Sequence, residues 1–256
     1  MADKSGYAHG EPSWADLASE DVAGSKTFYA TLFGWDADDV PMEDAGGYGM
    51  FSLGGRHVGG YGPPPPGRPV SWAVYVTVDD VDAVAEAATA AGGTVVNGPF
   101  DVFTSGRMAV VQDPTGATLS LWQPGDHPGA GVQDEANALT WVELSTTDVE
   151  AARAFYTSLL GWTTSDSSDV AGMDYTEFKL GERSVAGMMR SESGASYWMP
   201  YFQPADIDRT VGEATALGAS VMVPKMAIPG GEFAILSDPQ GAAFGLFRPD
   251  AARPTD

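Results

Sequence analysis

Trp14-Ala15-Asp16-Leu17, Asp21 and Phe28-Tyr29-Ala30-Thr31-Leu32-Phe33-Gly34-Trp35 return later in the chain as Trp141-Val142-Glu143-Leu144, Asp148 and Phe155-Tyr156-Thr157-Ser158-Leu159-Leu160-Gly161-Trp162. The spacing is constant, since Trp14 to Trp141 and Trp35 to Trp162 are both 127 positions. Tyr48, Phe51, Leu53, Gly54, Arg56 and Gly60 match Tyr175, Phe178, Leu180, Gly181, Arg183 and Gly187 in the same register. Asp113-Pro114-Thr115-Gly116-Ala117 matches Asp238-Pro239-Gln240-Gly241-Ala242, two residues out of it. An echo at fixed period marks a duplicated fold. It also supplies a test of function, because a chemical site should recur in both copies or be visibly lost from one.

The local pattern is the same in each copy. Residues 14–19 alternate as a strand, and Asp21 is placed to cap a helix whose apolar face is Val22, Phe28, Tyr29, Leu32 and Phe33, with Gly34 as its stop. Short strands are expected at 48–53 and 58–61, and a β-rich run covers 70–78. Asp80 then caps a helix with Val81, Val84, Ala85 and Ala88 at helical spacing, ended by Gly92-Gly93. Strands at 94–96, 108–112 and 118–122 follow, and the second copy repeats the pattern with Ile207, Thr210, Val211, Ala214 and Leu217 as its helix stripe. This predicts an α+β fold of four βαβββ modules. A Pro/Gly seam at 123–131 divides a first domain, 1–125, from a second, 137–256, with the linker at 126–136. Gly62-Pro63-Pro64-Pro65-Pro66-Gly67 reads as a stiff polyproline spacer halfway through the first.

Bulk properties exclude several functions. The 35 acidic residues against 13 basic give a formal net charge of −22, which repels phosphate backbones and anionic surfaces. Neither nucleic acid nor membrane is an expected partner. The lack of cysteine removes disulfides, thiol nucleophiles and thiolate metal sites. No apolar run approaches a spanning length, so a cytoplasmic protein is expected.

The paired modules, with Asp before Phe-Tyr and Gly-Trp near the start and Asp-Pro-x-Gly-Ala near the end, resemble the vicinal-oxygen-chelate superfamily. This is the glyoxalase, bleomycin-resistance and ring-cleaving dioxygenase group, and the resemblance covers nearly the whole chain. The two-domain layout and the Trp-x-(Asp/Glu)-Leu opening resemble the branch that holds the mycobacterial culture-filtrate antigen and actinomycete proteins of daunorubicin-type clusters. The resemblance implies that each module pair forms a curved, incompletely closed β-barrel whose concave face holds a ligand. Metal-using members place His, Glu or Gln at four points of that face. Three of these seats fall here at Trp14 and Trp141, Ala73 and Met199, and Ser120 and Gly245. The other falls near Met50 or Ser52 and near Glu177 or Lys179. The first three pairs are not ordinary ligands for a divalent metal, so neither metal nor cofactor is expected. Of the three histidines, His9 and His127 fall in the tail and the linker, and His57 follows a hairpin.

The resemblance implies that position 14 faces the cavity, and strand alternation then puts Asp16 beside Trp14 and Glu143 beside Trp141 on that face. Ala73 and Tyr75, Met199 and Tyr201, Ser120 and Trp122, and Gly245 and Phe247 join them by the same rule. Such an aromatic bowl with sparse polar points suits a flat, largely apolar guest, an aromatic or polyketide-like small molecule. Phe100 and Phe103 fall in an apolar loop expected to form a flap over the first bowl, with 226–232 as its counterpart. Asp16 or Glu143 is the candidate general base, and Tyr75 or Tyr201 the group that supplies a proton or orients a carbonyl. Trp14, Trp141, Trp122, Phe247, Ala73, Met199, Ser120, Phe103 and His57 are the candidate ligand contacts. The expected activity is a cofactor-independent cyclisation, dehydration or isomerisation of lyase or isomerase type, or service to a partner oxidase. Two alternatives stay open: a self-resistance protein that sequesters a drug by stacking, and a metal-dependent lyase or dioxygenase using Glu143, Glu177 and His57. The opposing expectation is that Trp14 or Trp141 fills its own bowl as core. Because the tandem copy supplies internally the pairing that single-domain relatives achieve with two chains, a monomer or a homodimer is expected.

Overall fold

The structure, a computed structural model, describes residues 4–40, 46–170 and 173–250, with the backbone alone for 168–170 and 173. In the first copy the chain runs β1 (Pro12–Ala18), α1 (Val22–Phe33), β2 (Asp36–Asp39), β3 (Gly49–Leu53), β4 (Arg56–Gly62), β5 (Ser71–Thr77), α2 (Val81–Ala90), β6 (Thr94–Val102), β7 (Gly106–Gln112) and β8 (Thr118–Pro124). The second copy repeats it with β9 (Leu139–Thr146), α3 (Val149–Leu160), β10 (Thr163–Val170), β11 (Met173–Leu180), β12 (Arg183–Arg190), β13 (Tyr197–Phe202), α4 (Ile207–Ala216), β14 (Ser220–Ile228), β15 (Gly231–Ser237) and β16 (Ala243–Pro249). The helices start where short acids can satisfy free N–H groups: Asp21 accepts from Gly24 at 2.9 Å and Asp80 from Ala83 at 3.0 Å. α1 ends on Gly34 in the left-handed region (φ 69°), a conformation that favours glycine.

Each copy forms one eight-stranded sheet, in the order β2-β3-β4-β1-β5-β8-β7-β6 and β10-β11-β12-β9-β13-β16-β15-β14. The first strand of each copy sits centrally, antiparallel to the first strand of its second module and parallel to the last strand of its first. Alternation then sorts the side chains. Ala15, Leu17, Val74, Val76, Leu119 and Leu121 face the core, as do Val142, Leu144, Phe202, Phe244 and Leu246, all almost fully buried.

That core is shared by both copies. Phe202 of β13 packs against Phe33, Trp35 and Trp72 of the first copy, with ring centroids 5.2–5.4 Å apart. Buried hydrogen bonds cross the same boundary in mirrored pairs. Trp72 Nε1–H donates to the Tyr29 hydroxyl at 2.9 Å, and Tyr29 donates to Asp238 of the second copy at 3.0 Å. Trp198 likewise donates to Tyr156 at 2.8 Å, and Tyr156 to Asp113 of the first copy at 2.9 Å. The Asp-Pro-x-Gly-Ala turn of each half therefore anchors the helix of the other. Among the described residues no helix is long and apolar enough to cross a membrane.

Two local expectations are corrected. The stretch from Phe100 is not a loop: β6 reaches Val102 and β7 starts at Gly106, with register shifts between Val95 and Phe100 that absorb extra residues. The proline run is not a straight spacer, since Arg68 N–H closes a turn onto the Pro65 carbonyl at 2.9 Å.

Candidate functional site

The strand register assembles the second bowl. Glu143 lies opposite Met199, Trp141 opposite Tyr201, and Tyr201 beside Gly245. On the other side Gly187 pairs with Glu143, and Glu177 with Gly187. These rows wall a cavity of about 410 Å³ to which seven strands of the second sheet contribute. Trp141, Met189, Tyr197, Phe233 and Phe247 supply apolar surface, and Met226, Ile228 and Pro229 of the β14–β15 hairpin close one side. Gly187 and Gly245 are structural necessities: a Cβ would collide with the Tyr175 hydroxyl at the first and with the Tyr201 ring at the second.

At the floor stands Glu143, 8% exposed. Its Oε1 accepts from the Tyr201 hydroxyl at 2.7 Å and its Oε2 from the Tyr175 hydroxyl at 2.9 Å. The Trp141 indole N–H donates to the Tyr175 oxygen at 3.0 Å. Burial raises the Glu143 carboxyl above the ordinary glutamate range, against the opposing pull of the two phenol donors. Burial and the neighbouring carboxylate push both phenols well above the usual tyrosine value, so they keep their protons.

The first bowl has the same acceptor with a shorter reach. Asp16 Oδ1 accepts from Trp14 Nε1–H at 2.6 Å and from the Tyr48 hydroxyl at 2.8 Å, and Oδ2 accepts from Tyr75 at 2.7 Å. Burial raises this carboxyl too. Ala73 pairs with Asp16, and Ser120 with Tyr75. The difference between the bowls comes from His127. The linker is strapped down by Ala130 N–H to the Ser13 carbonyl and Gly131 N–H to the His57 carbonyl, both 2.8 Å. This sets the His127 ring edge-on to Trp14 at 4.6 Å, 5.9 Å from Trp122 and 6.1 Å from the exposed His57. Trp122 Nε1–H donates to the His127 carbonyl at 2.9 Å. Trp14 is only 3% exposed beneath it, whereas Trp141 faces the open cavity. The linker histidine is thus a wedge in the first bowl, a role its place in a Pro/Gly seam does not suggest.

Burial, with a smaller contribution from His57, pushes the His127 imidazole down from 6.5 to about 4. The folded state then binds fewer protons than the unfolded chain between those pH values, so stability falls as the pH drops through that window. A full shift amounts to about 3 kcal/mol. Comparing wild type with His127→Phe by denaturant melts should give a difference that is flat above pH 7 and grows towards pH 4. A flat difference throughout would mean that the imidazole is not held dry.

The remaining candidates separate clearly. Met199, Tyr201, Trp141, Glu143 and Phe247 are brought together, as are Trp14, Asp16, Tyr75, Ala73, Ser120 and Trp122. Phe103 stands 53% exposed at the β6–β7 turn with φ 50°. The atypical ligand set Glu143, Glu177 and His57 does not converge, because His57 belongs to the first sheet and the two glutamates line the second bowl. The expected metal seats do not fit a divalent cation either. In the second bowl they hold an indole, a thioether, a glycine and one carboxylate, Glu177. Among the described residues no group of three or more His, Asp or Glu is arranged to hold a metal. Tyr48 and Tyr175 were not among the candidate site residues, although they are identical at matched positions. That identity, on the face shared with Glu177, is the signal that marks them.

Comparison with known proteins fits this geometry. Residues 12–121 match the Glyoxalase/Bleomycin resistance protein/Dioxygenase superfamily, and residues 141–247 match the Glyoxalase-like domain. The putative glyoxylase CFP32 of Mycobacterium bovis is 40% identical over 97% of this chain and 98% of its own length. The anthracycline biosynthesis protein DnrV of Streptomyces peucetius is 39% identical over 94% of both chains. Among solved structures, the Mn(II)-bound glyoxalase from Novosphingobium aromaticivorans superposes with a TM-score of 0.65 at 15% identity, covering 93% of this chain and 82% of that one. The 2,3-dioxygenase LapB from Pseudomonas sp. KL28 gives 0.66 at 13% identity, covering 98% and 96%. The chain therefore belongs to the Glyoxalase/Bleomycin resistance protein/Dioxygenase superfamily, with one such domain in each half.

Proposed function

We propose that the second bowl binds a flat, largely apolar small molecule of aromatic or polyketide-like type and moves a proton on it through Glu143. The observation that carries this reading is the Glu143–Tyr201–Tyr175 unit at the floor of an aromatic cavity of about 410 Å³, a size suited to a small-molecule site. Similarity to proteins named for anthracycline biosynthesis supports it. Both phenols donate inward to Glu143, so towards a guest they offer acceptor oxygens. A proton leaving the guest for the Tyr201 oxygen, as the Tyr201 proton passes to Glu143 Oε1, charges the guest and neutralises the carboxylate. A carboxyl raised by burial is a better base for this than an ordinary glutamate. Such a step serves an isomerisation, a cyclisation or a dehydration, or prepares the guest for a partner oxidase.

A second reading is sequestration without turnover. It is favoured by the full hydrogen-bond complement of Glu143, which makes the unit a fixed acceptor. Both readings need the bowl to hold a guest. Titration with 1,8-dihydroxyanthraquinone should quench indole fluorescence, and Met199→Trp, which fills the floor beside Glu143, should weaken binding by about tenfold, the scale of a lost apolar contact surface. Undiminished binding by a folded Met199→Trp variant would place the guest elsewhere.

A further inference from the structure

Three acids line the bowl, Glu143, Glu177 and the exposed Glu192, and Glu177 differs from Glu143 in one respect. Both oxygens of Glu143 are taken by phenols, whereas among the described residues Glu177 accepts only from the Ser184 hydroxyl, through Oε2. Among the described residues its Oε1 has no hydrogen-bond donor, and no Lys or Arg lies within ion-pair distance of it. Gly187 separates it from Glu143 in the strand register, so no side chain of that strand stands between the two acids. The cation on the cavity lining, Arg190, is exposed at the rim and donates to the Thr147 carbonyl at 3.1 Å. A carboxylate half-buried against aromatic and methionine surface is costly unless it meets a donor. Here the protein leaves that donor to be supplied from inside the cavity.

We infer that the second bowl selects a planar aromatic guest carrying a protonated amine, with Glu177 as its counter-ion. The walls suit such a guest, because Trp141, Tyr197 and Phe247 line the cavity, and aromatic rings attract a cation as well as a flat ring system. The first copy provides an internal contrast: Met50 occupies the position of Glu177 and His57 that of Ser184. Selection for a positive charge is thereby a property of the second half alone. This inference rests on the second bowl being a binding cavity.

Three probes of one shape test it: 9-(aminomethyl)anthracene, 9-methylanthracene and 9-anthracenecarboxylate, titrated by fluorescence at moderate ionic strength, where surface attraction to an acidic protein is screened. The amine should bind about tenfold more tightly than the methyl compound, as expected of one charged hydrogen bond, and the carboxylate most weakly. Glu177→Gln should remove the advantage of the amine and leave 9-methylanthracene within about twofold, while Glu182→Gln, at the exposed β11–β12 turn and outside the cavity lining, changes neither. Equal affinity for the amine and the methyl compound, or equal weakening of both by Glu177→Gln, overturns the inference and leaves the binding function standing. Failure of all three probes to bind overturns both.

Discussion

Phe202→Ala is expected to destabilise the whole chain by about 3–5 kcal/mol, the cost of removing a large buried ring and leaving a cavity. The ring is fully buried and packs on Phe33, Trp35 and Trp72 of the other copy and on Phe244 of its own. Trp72 and Phe244 are held in strands, Phe33 in α1 and Trp35 by its indole N–H bond to the Asn137 carbonyl, and the Trp72–Tyr29–Asp238 hydrogen bonds brace the set, so they have little freedom to collapse into the space. At roughly 2–4 °C per kcal/mol for a chain of this size, the midpoint should fall on the order of 10 °C. Calorimetry should show one transition in both proteins, because the core is continuous across the duplication. Two transitions, of which only one moves, would show that the halves fold independently. Phe103→Ala, at an exposed turn, should change stability by less than about 0.5 kcal/mol.

The features that could be read from the sequence are those set by neighbours along the chain. Asp21 and Asp80 cap their helices because the N–H groups they satisfy lie three residues on. The alternation of Trp14 and Asp16 against Ala15 and Leu17 follows from the pleat, so the face each residue of β1 takes is legible, whereas Tyr48 and Tyr175, which reach the acids from just before β3 and from its counterpart β11, were not singled out. What stayed hidden depends on where distant segments meet. Asp113 and Asp238 read as marks of a turn, yet each accepts a phenol from the helix of the opposite copy. The position of His127 depends on hydrogen bonds from the linker to Ser13 and His57, which no local pattern announces.

The same distinction explains why the two bowls diverged. Asp16 and Glu143 occupy matched positions and both accept phenols, yet one methylene changes the network. The Trp14 indole reaches Asp16 directly, while the Trp141 indole meets Tyr175. A wedge covers Trp14 in one half, while Trp141 lines an open cavity in the other, and the proposed function assigns the guest to the second. Duplication here preserved the fold symmetrically, through the reciprocal Tyr–Asp anchors, while the two concave faces differ in what covers their tryptophans.

Glu143→Gln is expected to slow proton exchange on a bound carbon acid by about 10²–10⁴-fold, the range of a lost general base. Anthrone is a suitable probe, because it is flat, apolar and carries acidic protons at C10 whose exchange with D₂O is followed by NMR. The substitution keeps the shape of the side chain and an oxygen for the Tyr201 hydroxyl, so affinity should change less than about threefold, a fraction of one neutral hydrogen bond. In the wild type the exchange rate should fall as the pH drops through the Glu143 titration, at a midpoint above the ordinary glutamate range, since only the charged carboxylate accepts the proton. Tyr201→Phe should lower the rate as well, because it removes the oxygen that passes the proton to Oε1. Anthrone that binds in the bowl but exchanges at the solvent rate would instead make the Glu143 unit a fixed acceptor, and sequestration the function. Equal loss of affinity and exchange on Glu143→Gln would assign the carboxylate to holding Tyr175 and Tyr201 in place.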